Sequence, residues 1–192
     1  MTFGSKTSFS ALVPLFLFAV AMPGQEFSAE TLAFDPAGKP LSGKLYVGHG
    51  KMRGDSPDGT IMLMDLGAKT ARIYDPRYKV YLERPDRTTS LLLVANDPCQ
   101  KDPDRKSAVD ATCRVVGQET VNGRSTNKTE LTMTIGGQTQ TIHVWFDPKL
   151  HILVRYEMNG KIISELRNIQ EGPQPTSLFE PPTGYRNGLP GR

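Results

Sequence analysis

The stretch IMLMDLGAKTARIYDPRYKVYLE, residues 61–83, decides how the chain folds. It opens on four apolar residues, Ile61, Met62, Leu63 and Met64, and then meets two turn signals, Gly67-Ala68 and Pro76-Arg77. Taking each pair as a two-residue hairpin loop sets Met64 against Ala71 and Met62 against Ile73. It then sets Ile73 against Val80 and Ala71 against Leu82. Side chains alternate across a strand. One face of this three-stranded meander therefore collects Met62, Met64, Ala71, Ile73, Val80 and Leu82, all apolar. The other face holds Ile61, Leu63, Arg72, Tyr74, Lys79, Tyr81 and Glu83, with Arg72 opposite Tyr81. A slip of one residue would exchange the two faces.

Outward from this meander the same grammar continues. Alternating or apolar runs at Phe27–Phe34, 43–47 and 51–54 precede it, and runs at 127–135, 138–147, 152–158 and 161–169 follow. Glycine-bearing turns separate them, among them GHG at 48–50, GG at 136–137 and NG at 159–160. Strands joined by so few residues pair antiparallel. An odd-length loop around DPKLH, residues 147–151, would set Ile142, Val144 and Phe146 against Tyr156, Val154 and Ile152. His143, Trp145, Arg155 and Glu157 would then share the other face. The exception is the middle of the chain, 84–113. There Thr88 or Thr89 can cap a short helix through SLLLVA, residues 90–95, before Pro98 and a charged loop. The tail, 172–192, is rich in proline and is expected to be extended. An apolar sheet face must be covered by a second layer, by curvature of the sheet into a barrel, or by the SLLLVA helix.

The N-terminus reads as a processing segment. Lys6 precedes an apolar run, ALVPLFLFAVA at 11–21, that is too short to span a bilayer and ends in an A-x-A site. The expectation is a signal peptide, residues 1–21, cut after Ala21, and a periplasmic or secreted domain from 22 to 192; the alternative is an N-terminal anchor. Removing Lys6, the one charged residue in this leader, takes the formal net charge from +3 to +2. That balance gives no footprint for nucleic acid, and no later run is long enough for a transmembrane helix. In a secreted chain the two cysteines, Cys99 and Cys113, are expected to pair. Closing that ring of about 15 residues contributes ~3 kcal/mol in the chain-entropy picture. The metal alternative lacks ligand spacing, because His49, His143 and His151 are scattered.

No segment carries a catalytic signature. GHGKMRG at 48–54 has the wrong spacing for a dinucleotide loop and precedes a strand rather than a helix. GDS at 54–56 lacks the apolar strand that an esterase nucleophile needs before it. His143 has the position of a polar residue on a half-exposed strand, and no pair of carboxylates is placed to act together. The expectation is a protein without enzymatic activity or cofactor; an unrecognised hydrolase is the alternative. Met62 and Met64 suit either plain core filling or the wall of an adaptable apolar pocket.

Taken in order, these segments resemble a known group. GKLYVGHGKMRGD followed by GTIMLMDLGAKTARIYDPRYKVYLE looks like the opening meander of exported bacterial domains similar to the outer-membrane lipoprotein carriers LolA and LolB. VWFDPKLHILVRYE at 144–157 and LFEPPTGY at 178–185 resemble later segments of that group, and VGQETVNGR at 116–124 resembles a subgroup with paired cysteines. The resemblance implies a mainly β fold: one antiparallel, incomplete β-barrel around a short helical plug, with an apolar concave face. It implies a ligand such as an acyl chain, a lipoprotein or another apolar molecule, held by Met62, Met64, Ile73, Val80, Leu82, Leu91, Leu92 and Leu93. An envelope protein partner would meet the opposite face, and the chain is expected to be a monomer. Against this stands a reading as an envelope sensor or interaction module with a filled core and no lipid cargo.

Overall fold

The computed structural model describes residues 25–35, 37–85, 111–135 and 137–188. They form one twelve-stranded sheet. Its strands are β1 (Phe27–Phe34), β2 (Pro40–Gly48), β3 (Lys51–Asp55), β4 (Ile61–Asp65), β5 (Thr70–Asp75) and β6 (Val80–Pro85), then β7 (Ala111–Val121), β8 (Arg124–Ile135), β9 (Gln138–Asp147), β10 (Ile152–Met158), β11 (Lys161–Glu171) and β12 (Arg186–Asn187). The spatial order is β12-β6-β5-β4-β3-β2-β1-β11-β10-β9-β8-β7. Every pairing is antiparallel except β12 on β6. The sheet is open, with β7 at one edge and the short β12 at the other. The expected signal peptide, the expected helix through SLLLVA with Leu91, Leu92 and Leu93, and Cys99 lie outside the described residues.

The turns set the register by two devices. His49-Gly50, Asn122-Gly123 and Asn159-Gly160 are two-residue loops in which both residues take positive φ, from 49° to 78°. That turn twists with the strands it joins. The second device is a four-residue loop that opens on an aspartate and closes on a residue in the left-handed region. Asp65 accepts the Ala68 amide at 2.8 Å and Lys69 has φ 53°. Asp75 accepts the Arg77 amide at 2.9 Å and Lys79 has φ 52°. Asp147 accepts the Lys149 and Leu150 amides at 2.8 and 3.1 Å, and His151 has φ 52°.

This device corrects two expectations. The first turn leaves Met64 against Ala71 and Met62 against Ile73, as read from sequence. The second turn spans 76–79 rather than Pro76-Arg77 alone. Ile73 therefore meets Leu82, Asp75 meets Val80, and Arg72 meets Glu83 instead of Tyr81. The slip is two residues, so every side chain keeps its face. The β9–β10 loop is even, four residues long, not odd. A bulge at Val154 then restores the parity, and Val144 meets Tyr156 while Ile142 meets Met158. Further register shifts fall at Val116 in β7 and Ile163 in β11. Such bulges bend and twist a sheet.

The core lies on the face that carries Met62 and Met64. Phe27, Ala29, Leu45, Val47, Met52, Met64, Ala71, Ile152 and Leu166 form one buried cluster there, joined by Leu150 from the β9–β10 loop. Met52 and Met64 stand directly opposite each other and are 0% and 1% exposed. The strands run very close at Gly43, where an added Cβ would lie 2.5 Å from the Asp55 carbonyl oxygen and 2.8 Å from Thr31 Oγ1. Gly43→Ala is expected to cost about 1–3 kcal/mol through overpacking, read as a lower urea midpoint; an unchanged midpoint would show that β3 can move aside freely.

The tail is not simply extended. Its amides at Gly172 and Gln174 bond Glu26, and a 3-10 turn at Thr176–Phe179 packs against β3. There Arg53 donates to the Leu178 carbonyl at 2.9 Å. Tyr185 stands edge-on to the buried Tyr74, with ring centres 5.3 Å apart, and β12 then joins β6. The tail thus covers the face opposite the core over β3 to β6.

Candidate functional site

Three cross-strand rows define the inner face. One runs Leu82, Ile73, Met62, Gly54, Leu45 and Ala29 through six strands. The next runs Ala71, Met64, Met52, Val47 and Phe27. The third crosses the other half of the sheet as Leu41, Ala33, Ser164, Tyr156, Val144, Thr129 and Val115. The residues of these stretches are uncharged, and the second row runs on to Arg84 beyond Ala71 and to Glu171 beyond Phe27. Leu41 and Val115, at the ends of the third row, are 43% and 61% exposed.

Four of the residues predicted from sequence, Met62, Met64, Ile73 and Leu82, fall in these rows. Met62, Ile73 and Leu82 stand together in the first row and are half-buried. Met64 belongs to the neighbouring row and is fully enclosed by the core. Val80 is buried at the sheet margin, paired with Asp75 and with Arg186 of β12. Leu91, Leu92 and Leu93 lie outside the described residues, as does Cys99; Cys113 is on β7 opposite Leu131. Sequence reasoning placed no site residue in the third row and read no strand at 114–121. The signal for the row was the alternation at 127–135, where Thr129, Leu131 and Met133 share a face.

The outer face of the β7–β11 half is built from charge. Glu165, 4% exposed, accepts from Arg155 at 2.9 Å and from Arg167 at 2.6 Å. Burial pushes its carboxyl upward, but the bonds from Arg167 and Arg155 outweigh that and hold it below the usual carboxylate range. Trp145 lies between two cations, Lys128 at 4.7 Å and Arg155 at 5.5 Å from its ring, and its indole N–H donates to Glu119 at 2.7 Å. His143 contacts Glu157 at 3.1 Å and Glu130 at 3.3 Å, and Glu130 also pairs with Arg114. His143 is thus one rung of a charge ladder. The bonds from Lys128, Arg114 and Lys149 likewise lower Glu119, Glu130 and Glu171.

Groups lowered in the folded state stabilise it at pH above their unfolded values, and that stabilisation is lost as pH falls through the folded ones. The urea midpoint is therefore expected to hold near pH 7 and to fall below about pH 4.3, the ordinary carboxylate range. A midpoint that is flat down to pH 3 would contradict the network.

Two grooves open elsewhere on the sheet. One, of about 510 Å³, lies where β2 runs past the end of β3 and is lined by Glu30, Lys44, Asp55 and Arg167 among others. The other, of about 200 Å³, lies beside the 3-10 turn between Lys51, Leu63, Arg72 and Phe179. Neither is lined by residues of the apolar rows other than Met64.

No family model matches the chain. No curated protein matches it. Solved structures do. PNGF-II in its P21 crystal form aligns with a TM-score of 0.51 at 11% identity over 85% of this chain, which shows a shared fold. The chain spans only 31% of that protein. The chain is also similar to the Mycobacterium tuberculosis lipoprotein LppX, with a TM-score of 0.39 and 14% identity over 79% of this chain and 86% of that one. A putative outer membrane lipoprotein-sorting protein domain from Vibrio parahaemolyticus aligns with a TM-score of 0.32 and 12% identity over 81% of this chain and 89% of that one.

Proposed function

We propose that this protein is a non-enzymatic component of the cell envelope that holds an acyl chain or another apolar ligand against the inner face of its open sheet. The observation that carries the reading is the uncharged inner surface, continuous from Leu41 to Val115 and ending on exposed apolar side chains. Its ends, Leu41 and Val115, are apolar side chains left in water, while Val144 and Thr129 between them are already buried. Each methylene of a ligand laid on it gains ~0.8 kcal/mol. Met62, Ile73 and Leu82 extend the surface into the β3–β6 half. Among the described residues no helix is long and apolar enough to cross a membrane. A disulfide between Cys113 and Cys99 belongs to the same reading of an exported protein and is checked by counting thiols with and without reductant.

A second reading draws on the burial of Met52 and Met64. They belong to a packed cluster, which favours an envelope sensor or interaction module with a filled core and no cargo. Extraction separates the two. Protein purified from the periplasm without detergent is expected to release acyl lipid reproducibly into organic solvent, identified by mass spectrometry. Absence of lipid, together with no uptake of a pyrene-labelled acyl ester, would leave only the filled-core reading.

A further inference from the structure

A strand edge opens in the middle of the sheet. β2 pairs with β1 from Pro40 to Val47, but with β3 only from Lys44 to Gly48. Residues 40–43, roughly 13 Å of strand at about 3.3 Å per residue, therefore have no strand beside them on the β3 side among the described residues.

The hairpin decides which backbone groups face this gap. His49-Gly50 is a two-residue loop, so Gly48 and Lys51 exchange both hydrogen bonds. Bonded pairs alternate from there, as Tyr46 with Arg53 and Lys44 with Asp55. The next β2 residues in that series are Ser42 and Pro40. Ser42 thus turns its N–H and C=O into the gap, and Pro40 its C=O alone, whereas Leu41 and Gly43 turn theirs toward β1. In the same register the residue that would meet Ser42 is Pro57, which has no N–H to give. The chain leaves the line there, and the Ser56 amide donates to the Thr60 carbonyl at 2.9 Å.

The gap is the groove of about 510 Å³ lined by Ser42, Gly43, Lys44, Asp55, Ser56 and Pro57 among others. Leu41, on its inner side, is 43% exposed. On its outer side Asp55 is held by Arg53 at 2.7 Å, Glu30 by Asn168 at 2.8 Å, and Arg167 by Glu165. Lys44 alone of these charged groups has neither an ion pair nor a side-chain hydrogen bond among the described residues. An extended peptide laid antiparallel in the gap meets each of these features. Its central residue exchanges both bonds with Ser42, and the next residue packs on Leu41. The central side chain rises on the face that carries Lys44, one diagonal step away, within reach of a long side chain. An acidic group there pairs with Lys44.

We propose that the β2 edge at Ser42 receives an extended segment of a partner protein, with an acidic residue opposite Ser42 and an apolar residue opposite Leu41. The inference stands on strand pairing and does not rest on the acyl-ligand reading.

The test follows the backbone amides of the whole isotope-labelled protein by NMR, with the peptide acetyl-Ala-Val-Glu-Val-Ala-amide as the probe. In the free protein the Ser42 amide is expected to exchange rapidly with solvent, and the Leu41 and Gly43 amides slowly, because they bond β1. Saturating peptide is expected to slow Ser42 exchange to the range of its neighbours. Methylating the glutamate nitrogen removes the donor to the Ser42 carbonyl and is expected to weaken binding about fivefold, the worth of one ordinary hydrogen bond. Lysine in place of the peptide's glutamate is expected to weaken binding as well, and Lys44→Glu to reverse that preference. A Ser42 amide as protected as its neighbours in the free protein would mean that the chain itself fills the gap, and would overturn the inference. So would a peptide that leaves Ser42 exchange unchanged, or methylated and parent peptides that bind equally. A lysine peptide that binds as tightly as the glutamate one would overturn the acidic partner.

Discussion

Asp147→Ala is expected to lower stability by about 3–5 kcal/mol, the range for breaking a buried charged pair. Asp147 is 1% exposed. Its carboxylate accepts from Arg124 at 2.6 Å and from the Lys149 and Leu150 amides at 2.8 and 3.1 Å. Removing it leaves the guanidinium of Arg124, itself only 18% exposed, with Glu171 as its remaining carboxylate. It also frees the loop that places Leu150 in the main cluster. Asp65→Ala is the internal control. Asp65 opens a loop of the same form but at the surface, where one lost hydrogen bond costs about 0.5–1.5 kcal/mol. Urea unfolding of both variants decides the matter, and equal losses would mean that the buried pair contributes no more than a surface turn.

Met64→Ala is expected to cost about 2–5 kcal/mol, because a buried methionine leaves a cavity that its neighbours fill only in part. Met52 stands directly opposite, so the double variant should depart from the sum of the two single ones by about 0.5–3 kcal/mol. Met64→Asp is expected to abolish folding outright, since it would bury a charge with no partner. Ligand binding is therefore read at Ile73 and Leu82, which are half-buried, and not at Met64. Strict additivity of Met52→Ala and Met64→Ala would show that the two side chains do not share a core.

The meander was legible because its alternation is strong and a two-residue slip preserves faces. Met62, Met64, Ile73 and Leu82 land on one side whether Pro76-Arg77 or residues 76–79 make the turn. What sequence periodicity could not carry was the bulge at Val154. An odd loop and an even loop followed by a bulge give the same alternation, and only the left-handed conformation of His151 tells them apart. The strand at β7 was hidden for a similar reason. Its bulge at Val116 breaks the alternation, and its charged residues, Arg114 and Glu119, are laid back onto the sheet against Glu130 and Lys128. The tail reads as proline-rich and extended, yet it is fixed by contacts more than 120 residues away in sequence, at Glu26, His49 and Arg53.

The central claim is that the inner face, and not the outer one, receives an acyl ligand. Photocrosslinking tests it directly, with the methyl ester of a diazirine-bearing hexadecanoic acid and peptide mass spectrometry to map the adducts. The fold described above predicts adducts on the strands that carry Ile73, Leu82 and Tyr156, competed away by unlabelled ester. Adducts confined to outer-face residues such as Tyr46, Leu63 and Tyr81, or no adduct that unlabelled ester removes, would contradict it.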